Sequence, residues 1–466
     1  MSKIFFQSYG GCEEVTGSKH VINFDNKNIL VDCGIWQGNS EAIKRNKDFT
    51  FPIEELDAVL LTHAHADHCA LLPKLIKDGY TGKIYSTPPT RDLASIVMLD
   101  SAKIQRSEKE DIIYTEKDCI ETMNHFRCAV YEKEKKIFDN FKITFYDAGH
   151  ILGSSMIDVS VPKYTNFFSK LIHKKSNNRM HVLFTGDLGR KNNPICNSPA
   201  TNMPAPDYIY LESTYGGKVH ESIDTVYQEL AYIINRTVNR GGKIIIPSFA
   251  IERAQELIYF IKVLMAQEKI PKIPVYIDSP MASNATGVFN IHPECFNDTI
   301  KNEFISKGKN PFSVKTLKFI NDFEQSQKIA KSKKPCIIIS ANGMCEAGRI
   351  LTHLKNNIDN PLNTIIFVGY QVEGTLGRRI LEKVEKIKID KKEYNVKAEI
   401  HKINGFSAHA DYKEILDWLN KIDTSKLKKI FLVHGEKTNQ SFLKHYLEEH
   451  GFKVEIVKKG VRYNLR

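Results

Sequence analysis

The sequence predicts an α/β fold, and three observations support that class. Short runs of β-branched and aromatic residues recur along the chain of 466 residues, and segments of helical periodicity lie between them. The hydrophobic fraction of 42% is ordinary for packed globular structure. A strand at 243–246, a helix at 251–267 and a strand at 275–277 follow one another, which is the order of a parallel βαβ unit.

The predicted strands fall into an early, a middle and a late series. The early runs are 20–24, 28–32, 58–62, 142–146, 182–185 and 208–211. The middle runs are 243–246, 275–277, 336–339 and 364–368. The late series has strands at 429–433 and 453–457, with a helix from about 440 to 450 between them. The helix at 251–267 carries its apolar residues on one face: Ile251, Ala254, Leu257, Ile258, Ile261, Leu264 and Met265.

Composition excludes several classes of protein. The N-terminal residues show no basic segment followed by a long apolar core, and no later apolar run approaches the ~18 residues of a membrane span. We therefore expect a cytoplasmic protein without a membrane partner. The nine cysteines are scattered singly, without a C-x-x-C pair. Reduced thiols are expected, and a thiolate zinc site is not.

The net charge of +11 suits a polyanionic partner, because lysine and arginine gain affinity for phosphates by counterion release. Lysines are abundant throughout, as in the runs 133–136 and 331–334, so each run taken alone is also typical of a solvated surface. Charge alone leaves both interpretations open.

A dense group of ligand-type residues follows the strand at 58–62. His63 and His65 share the strand's period of two, so both imidazoles can point to one side, whereas the side chains of Asp67 and His68 diverge. The simplest geometry gives one metal to His63 and His65 and a second to Asp67 and His68. Nitrogen and oxygen ligands suit zinc, with manganese or iron as alternatives. The other interpretation is a solvated loop that traps metal incidentally.

Three more predicted strands are each followed by a histidine or an aspartate, residue types that bind metals. The run that begins at Lys142 finishes on His150, the run from Val182 on Asp187, and the run from Ile430 on His434. Functional groups of α/β folds tend to lie at strand ends, where loops converge. A single histidine after a strand is more often a packing residue, but three such ends beside one dense cluster favour a shared site.

Asp32 in Val31-Asp-Cys-Gly34, the run 63–68, His150 and Asp187 together resemble the four successive motifs of the metallo-β-lactamase fold, an αββα sandwich. The resemblance implies two Zn²⁺, with Mn²⁺ as the alternative, and a shared water that attacks as hydroxide. It needs no serine or cysteine nucleophile. It implies the following roles: His63, His65 and His150 for one zinc, Asp67, His68 and His434 for the other, Asp187 as the bridge, and Asp32 as a hydrogen-bonding residue behind the ligands.

Later segments resemble the additional motifs of the β-CASP nucleases: 210–216 with Glu212, 406–411 with His409, and 432–436 with His434. Further segments strengthen the match at 247–256, 278–282, 340–344 and 369–378, so the resemblance covers about residues 8–438. It implies a β-CASP domain at 214–400, inserted between a first metallo-β-lactamase segment at 1–213 and a return segment at 401–466. It also implies catalysis in the cleft between the two parts.

The resemblance implies an RNA phosphodiesterase of RNA processing or decay, endonucleolytic and with 5′-to-3′ exonuclease activity as a second mode. Asp67, Glu212 and His409 would be catalytic, with His409 acting beside Glu212 as a general acid or as a phosphate contact. Histidine at position 409 resembles the RNA-acting branch of the family. Candidate RNA contacts are Ser248, Ser340, Asn342, Arg349 and Arg378.

Two other functions stay open. A small-molecule hydrolase of glyoxalase or lactonase type explains the ligands but not the long insertion, and it would turn over thioesters without cutting RNA. A metal-binding RNA-binding subunit without catalysis is the second, although this chain retains every ligand that the resemblance implies. A homodimer is an open assembly, and the RNA target is unassigned.

Overall fold

The computed structural model describes residues 4–38, 40–108, 112–163, 178–369 and 371–465. The chain divides into two compact units. The first joins Met1–Val219 with Ala408–Arg466, and the second is His220–Ser407. Both units contain helices and sheets, so the predicted α/β class is confirmed.

The described strands are β1 Ile4–Gly10, β2 Lys19–Phe24, β3 Lys27–Val31, β4 Leu56–Leu60, β5 Lys83–Ser86, β6 Phe126–Cys128, β7 Lys135–Phe138, β8 Phe141–Asp147, β9 Ser155–Pro162, β10 Arg179–Phe184, β11 Tyr208–Glu212, β12 Ile244–Pro247, β13 Val275–Ile277, β14 Leu317–Phe319, β15 Ile337–Ser340, β16 Thr364–Phe367, β17 Lys386–Ile389, β18 Lys392–Asn395, β19 Glu399–Lys402, β20 Lys429–Val433, β21 Val454–Ile456 and β22 Arg462–Leu465.

The described α-helices are α1 Ser40–Lys44, α2 Ala66–Cys69, α3 Leu72–Lys77, α4 Pro88–Glu108, α5 Glu116–His125, α6 Ile223–Asn239, α7 Arg253–Ala266, α8 Pro280–Ile291, α9 Asp298–Glu303, α10 Phe323–Lys331, α11 Ile350–Asn357, α12 Leu376–Leu381, α13 Tyr412–Leu419 and α14 Lys437–Glu449. Short 3₁₀ turns lie at Ile53–Glu55, Pro293–Cys295, Ile305–Lys307 and Asn404–Phe406. Within these described ranges, no helix is both long and apolar enough to cross a membrane.

The first unit is a sandwich of two seven-stranded sheets. One sheet has the order β22-β1-β2-β3-β4-β5-β6, and the other has the order β21-β20-β11-β10-β9-β8-β7. Alternate residues of both sheets meet in one apolar core, which removes their area from water. This core includes Phe6, Ile22, Ile29, Val31 and Leu60 from the first sheet and Phe145, Ile157, Val182, Tyr210 and Phe431 from the second.

Helices cover the outer face of the second sheet. Residues that alternate with the sandwich core, such as Leu183, Leu211 and Leu432, pack with apolar residues of α13 and α14. Strands buried on both faces need a layer on each side, so this half of the unit has the helix-on-sheet arrangement of an α/β sandwich. In the first sheet Leu30, Val59 and Ile84 are also buried, opposite the sandwich core.

The second unit is built on a six-stranded parallel sheet with the order β14-β13-β15-β12-β16-β19. Strands β12, β15 and β16 are buried along their whole length, because helices cover both faces of a parallel sheet. The predicted parallel relation of β12 and β13 is correct, but β15 lies between them. A separate hairpin joins β17 and β18.

Candidate metal centre

The loop after β4 carries four ligand-type residues in a fixed conformation. His63 and His65 precede α2, and Asp67 and His68 lie within it. The backbone of Gly34 approaches this turn so closely that an added Cβ would lie 1.6 Å from the Asp67 carbonyl oxygen. Only glycine fits there, which explains its place after Asp32. The amide of Cys33 donates to the His68 carbonyl at 2.7 Å and holds the turn in place.

The remaining candidate ligands follow strands of the second sheet. His150 lies three residues after β8, Asp187 three after β10, and His434 directly after β20. Glu212 is the last residue of β11. These four strands run in the same direction, so their carboxyl ends meet at one edge of the sheet. His434 has a φ of 48°, a left-handed conformation that costs energy in residues other than glycine and often marks a functional position.

The first ligand group contains His63, His65, His150 and Asp187. Nε2 of His63 and Nδ1 of His65 lie 3.1 Å apart, and Nε2 of His150 lies 3.2 Å from the same Nδ1. Oδ2 of Asp187 lies 3.3 Å from Nε2 of His63 and 3.5 Å from Nε2 of His150. Ligands at bond lengths of 2.0–2.1 Å around a tetrahedral zinc are roughly 3.3 Å apart, so this group fits such an ion.

The second ligand group contains Asp67, His68 and His434. Nε2 of His434 lies 3.1 Å from Oδ2 of Asp67 and 3.2 Å from Nε2 of His68. The spacing matches that of the first group. Both groups expose nitrogen and oxygen atoms only, which is the donor chemistry of zinc or manganese sites without thiolate.

Asp187 joins the two groups. Its Oδ2 faces the first group, and its Oδ1 lies 3.4 Å from Nε2 of His68 and 3.2 Å from Nδ1 of His434. Oδ1 is buried and accepts no hydrogen bond from any residue that the structure describes. A buried carboxylate oxygen without a donor is costly, and a cation between the two groups would satisfy it.

Burial sets the protonation of the first group. It lowers the pKa of His65 to about 3, and it also lowers the pKa of His63 and places the pKa of His150 well below its usual range. These imidazoles are therefore neutral at pH 7 and offer lone pairs, the form that binds metal. Burial opposes ionisation of Asp187, but the surrounding histidines lower its pKa and keep it charged.

Carboxylates govern the protonation of His68 in the second group. Burial of His68 favours its neutral form, but the carboxylates of Asp187, Asp32 and Asp67 raise its pKa well above the usual value. Burial of Asp67 is likewise outweighed by His68 and His434, which lower the pKa of its carboxyl. These carboxylates favour protonated His68, and a metal ion at this group would displace that proton.

Asp32 orients histidines of both groups. Nδ1 of His68 lies 2.7 Å from its Oδ2, which directs Nε2 of His68 toward the second group. The Thr62 hydroxyl donates to Asp32 at 2.8 Å and lies 3.1 Å from Nδ1 of His63, directing Nε2 of His63 toward the first group. Such hydrogen bonds fix tautomer and ring orientation. Asp32 itself has a φ of 60°.

Two hydroxyl residues of this network were missed in the sequence. Thr62 links Asp32 to His63, and Oγ1 of Thr214 lies 3.1 Å from Nδ1 of His434. Thr62 directly precedes His63, and Thr214 lies two residues after Glu212. A hydroxyl residue next to a ligand motif was the available signal, although such neighbours are common without any role.

His409 and Glu212 form a pair beside the first ligand group. Nδ1 of His409 lies 2.9 Å from Oε1 of Glu212, and the His409 ring packs against His150 with centroids 4.5 Å apart. Burial alone would favour neutral His409, but the Glu212 and Asp187 carboxylates raise its pKa to about 9. The imidazole is therefore protonated at pH 7 and is able to donate a proton.

The proposed RNA contacts all lie in the second unit. Ser340 ends β15, Ser248 follows β12, and Asn342 follows β15, all at the carboxyl edge of the parallel sheet. Arg349 is engaged inside the unit, since it donates to Oδ1 of buried Asp278 at 2.8 Å and to backbone carbonyls. Arg378 pairs with Glu382 at 2.6 Å.

The two sheets and the histidine–aspartate groups define a metal-dependent hydrolase of the metallo-β-lactamase superfamily. Three family models match consecutive parts of the chain: a metallo-beta-lactamase superfamily domain at residues 21–182, a Beta-Casp domain at 254–380, and a Zn-dependent metallo-hydrolase RNA specificity domain at 393–457. The chain belongs to the β-CASP family.

Relatives support this assignment along nearly the whole chain. Ribonuclease TTHA0252 of Thermus thermophilus is 32% identical over 452 residues, which is 97% of this chain and 98% of that protein. Transcription termination factor FttA of Methanococcus maripaludis is 34% identical over 440 residues, and FttA of Methanosarcina mazei is 32% identical over 438 residues. The matches cover 92% of this chain but 66% of each factor.

A solved structure shares the fold. A protein of unknown function from Enterococcus faecalis V583 superposes with a TM-score of 0.56 at 12% identity, covering 99% of this chain and 100% of that one. At this identity the likeness concerns the fold alone.

Proposed function

We propose that this chain is a dinuclear zinc-dependent RNA phosphodiesterase. The observation that carries the proposal is the position of Asp187, whose two carboxylate oxygens face two separate groups of ligand atoms. The protonated His409–Glu212 pair lies beside it. Two cation sites next to an acid are the parts that phosphodiester hydrolysis needs.

The ligands divide as the family resemblance implies. His63, His65 and His150 would hold one ion, Asp67, His68 and His434 would hold the other, and Asp187 would be shared between them. Neutral imidazoles and ionised carboxylates would supply three nitrogens to the first ion and two nitrogens with one oxygen to the second. Zinc suits this mixture, and manganese is the alternative.

Two divalent ions bound there supply Lewis acidity, which lowers the pKa of a shared water and neutralises charge on the phosphate. The chain supplies orientation and the proton. Asp32 and Thr62 hold His68 and His63 with their Nε2 atoms directed inward. Asp67 lies at the rim of the second group and is less buried than His68, so it is placed to orient the attacking water as well as to bind metal.

His409 donates the proton that the leaving oxygen needs. Glu212 faces Nδ1 and keeps the imidazole protonated, so the transfer to substrate occurs from Nε2. A positioned acid of this kind contributes about 10²- to 10⁴-fold in rate. The positive charge of the protonated His409 imidazole also attracts the phosphate before the reaction. Asp67, Glu212 and His409 are thus the residues on which catalysis depends in addition to the histidine ligands.

RNA is the proposed substrate, in processing or decay. The names of the Thermus relative, a ribonuclease, and of the archaeal relatives, transcription termination factors, support this class. The inserted domain, with proposed limits at 214–400, carries Asn342 at its sheet edge, and Ser248 and Ser340 lie buried at the same edge. The proposed activity is endonucleolytic, with 5′-to-3′ digestion as a second mode, in a cytoplasmic protein that forms a homodimer.

The test is incubation of the zinc- or manganese-loaded protein with end-labelled RNA that carries a 5′-triphosphate or a 5′-monophosphate, and with internally labelled circular RNA that has no free end. Internal products from circular RNA establish endonucleolytic cutting, and stepwise shortening of 5′-monophosphate RNA establishes the exonuclease mode. Asp67→Ala must abolish both, which excludes a contaminating nuclease. Metal analysis of the loaded protein should give two ions per chain.

Two results would contradict the proposal. Turnover of thioesters or lactones by the loaded protein, with RNA left intact, would identify a small-molecule hydrolase. RNA binding without cleavage under every metal condition would identify a non-catalytic subunit.

A further inference from the structure

Phe249 is an aromatic side chain at the carboxyl end of the central strand of the second unit. It lies two residues beyond the end of β12, and 42% of it is exposed. Its neighbours in sequence, Ser248 and Ala250, are buried. The ring of Phe249 is therefore exposed at the end of a strand, between two residues that are buried.

The ring rests on the backbone of two glycines. A Cβ added at Gly343 would lie 3.3 Å from the Phe249 ring and 3.2 Å from its amide nitrogen, and a Cβ at Gly369 would lie 3.5 Å from the ring. These glycines follow β15 and β16, the two neighbours of β12 in the sheet. Three loops therefore hold the ring in place while part of it stays accessible. A side chain at Gly343 would press against the Phe249 ring and backbone.

This edge is a position where parallel α/β sheets bind ligands. The connection from β12 to β13 and the connection from β15 to β16 run in opposite directions along the sheet, and each passes the other strand. Ligands of open α/β sheets usually bind at the carboxyl ends of strands where the direction of the connections reverses. Polar groups line the same edge, since the Ser248 amide donates to the Ser340 carbonyl at 3.0 Å and the Met344 amide donates to Asn342.

The charge of the unit favours a polyanion. Lysine and arginine outnumber aspartate and glutamate within residues 220–407. A protein partner would require a contiguous apolar patch, whereas a single ring among polar loop groups matches the flat face of one base. A single-stranded polynucleotide supplies both the phosphate charge and the base.

We propose that Phe249 is a stacking platform for one unpaired base of single-stranded RNA. The inference rests on the proposed function and deepens it, because it assigns a base-binding subsite remote in sequence from every metal ligand. The loops after β15 and β16 position the ring. The base stacks on its exposed part without sequence preference, since every base has a π face.

The experiment measures RNA binding by fluorescence anisotropy in full-length protein that carries Asp67→Ala to prevent cutting, with the same zinc concentration for every variant. Phe249→Leu keeps apolar volume but removes the ring, and Phe249→Tyr keeps the ring. Base–aromatic stacking is worth about 5- to 150-fold in affinity, so Phe249→Leu should weaken binding by at least about fivefold and Phe249→Tyr should restore it. Tyr232→Ala, which removes an aromatic that is 60% exposed on α6, is the matched control and should leave affinity unchanged.

Abasic RNAs locate the contact. Removing one base at a time should weaken binding to the parent protein most at one position, and Phe249→Leu should be insensitive at that position. Equal affinity of the Phe249→Leu and parent proteins with identical abasic profiles would overturn the inference. Loss of affinity that Phe249→Tyr does not restore, or loss that is uniform over all abasic positions, would overturn it in favour of a structural role or a protein contact. If the protein with native Asp67 cuts RNA, such a result removes the subsite alone and leaves the proposed function standing.

Discussion

Nδ1 of His409 lies 2.9 Å from Oε1 of Glu212, and the accepting carboxylate is completely buried. Glu212 is itself held by the backbone amides of Leu188 and Thr214, which donate to its two oxygens at 2.9 and 3.0 Å. The carboxylate therefore cannot swing away from the imidazole. Because Nδ1 faces Glu212, the proposed proton transfer to substrate would leave from Nε2, and a phosphate contact would use the same nitrogen. Kinetics on two substrates distinguish these two roles.

Replacement of His409 by alanine should lower kcat on RNA by about 10²- to 10⁴-fold while the bound metal stays unchanged. The acid matters less when the leaving atom needs no proton. The defect should therefore shrink on RNA with a bridging phosphorothiolate, in which sulfur replaces the leaving oxygen. Steady-state kinetics on the two substrates measure this. An equal defect on both would show that His409 acts as a phosphate contact.

Replacement of Glu212 by glutamine should move the alkaline limb of the kcat profile to lower pH. The Glu212 carboxylate raises the pKa of His409 to about 9, so in the native protein the protonated form is lost as the pH rises through that value. Without the negative charge the pKa falls, and the acid is lost earlier. The pH dependence of kcat, measured with both proteins, gives the shift. Coincident alkaline limbs would contradict the coupling.

Replacement of Asp32 by asparagine should weaken metal binding by about 10- to 100-fold. The change keeps the size of the side chain but removes the charge that orients Nδ1 of His68 at 2.7 Å. Competition with a chromophoric chelator measures the affinity. Asp158→Asn is a matched control, because Asp158 is also buried and lies 2.9 Å from Nδ1 of His181, away from the ligand groups. Equal loss of metal in both variants would attribute the effect to folding.

Local patterns in the sequence predicted much of this centre. The run 63–68 is dense in ligand types, and His150, Asp187 and His434 each follow a strand whose apolar residues are recognisable. We expected these strand ends to lie close together, which requires the strands to run in the same direction. Strands β8, β10 and β20 do run in the same direction. Thr62 and Thr214 could not be identified, because their roles depend on distances across the fold.

Strand β9 was not predicted, because polar residues occupy buried positions in it. Strand β9 is buried almost throughout, yet Asp158 and Ser160 interrupt its apolar pattern. Both are satisfied by the neighbouring strand, Asp158 by His181 and Ser160 by Arg179 at 2.6 Å. Those partners lie 19 and 23 residues away in sequence, so no local pattern reveals them. The position of β15 between β12 and β13 likewise depends on pairing between strands that are far apart in sequence.

Replacement of Asp278 by alanine should destabilise the second unit by about 3–5 kcal/mol, because it leaves buried charge without a partner. Asp278 is completely buried, and its carboxylate binds Arg349 at 2.8 Å, His353 at 2.6 Å and Ser326 at 2.5 Å. It thereby joins β13 to α10 and α11. Urea unfolding monitored within residues 220–407 measures the loss, whereas metal bound by the first unit should not change. Ser326→Ala removes one hydrogen bond and should cost only about 1 kcal/mol.

Acidification provides an independent check on Asp278. Burial opposes its ionisation, but hydrogen bonds from His353, Ser326 and Arg349 lower its pKa below the usual value. A carboxyl with a lowered folded pKa contributes stability above its unfolded pKa of about 3.9, and that stability is lost as pH falls through the folded value. The native protein should therefore lose more unfolding free energy below about pH 4 than Asp278→Asn does. Parallel stability curves for the two proteins in that range would show that the carboxylate is not held ionised by these partners.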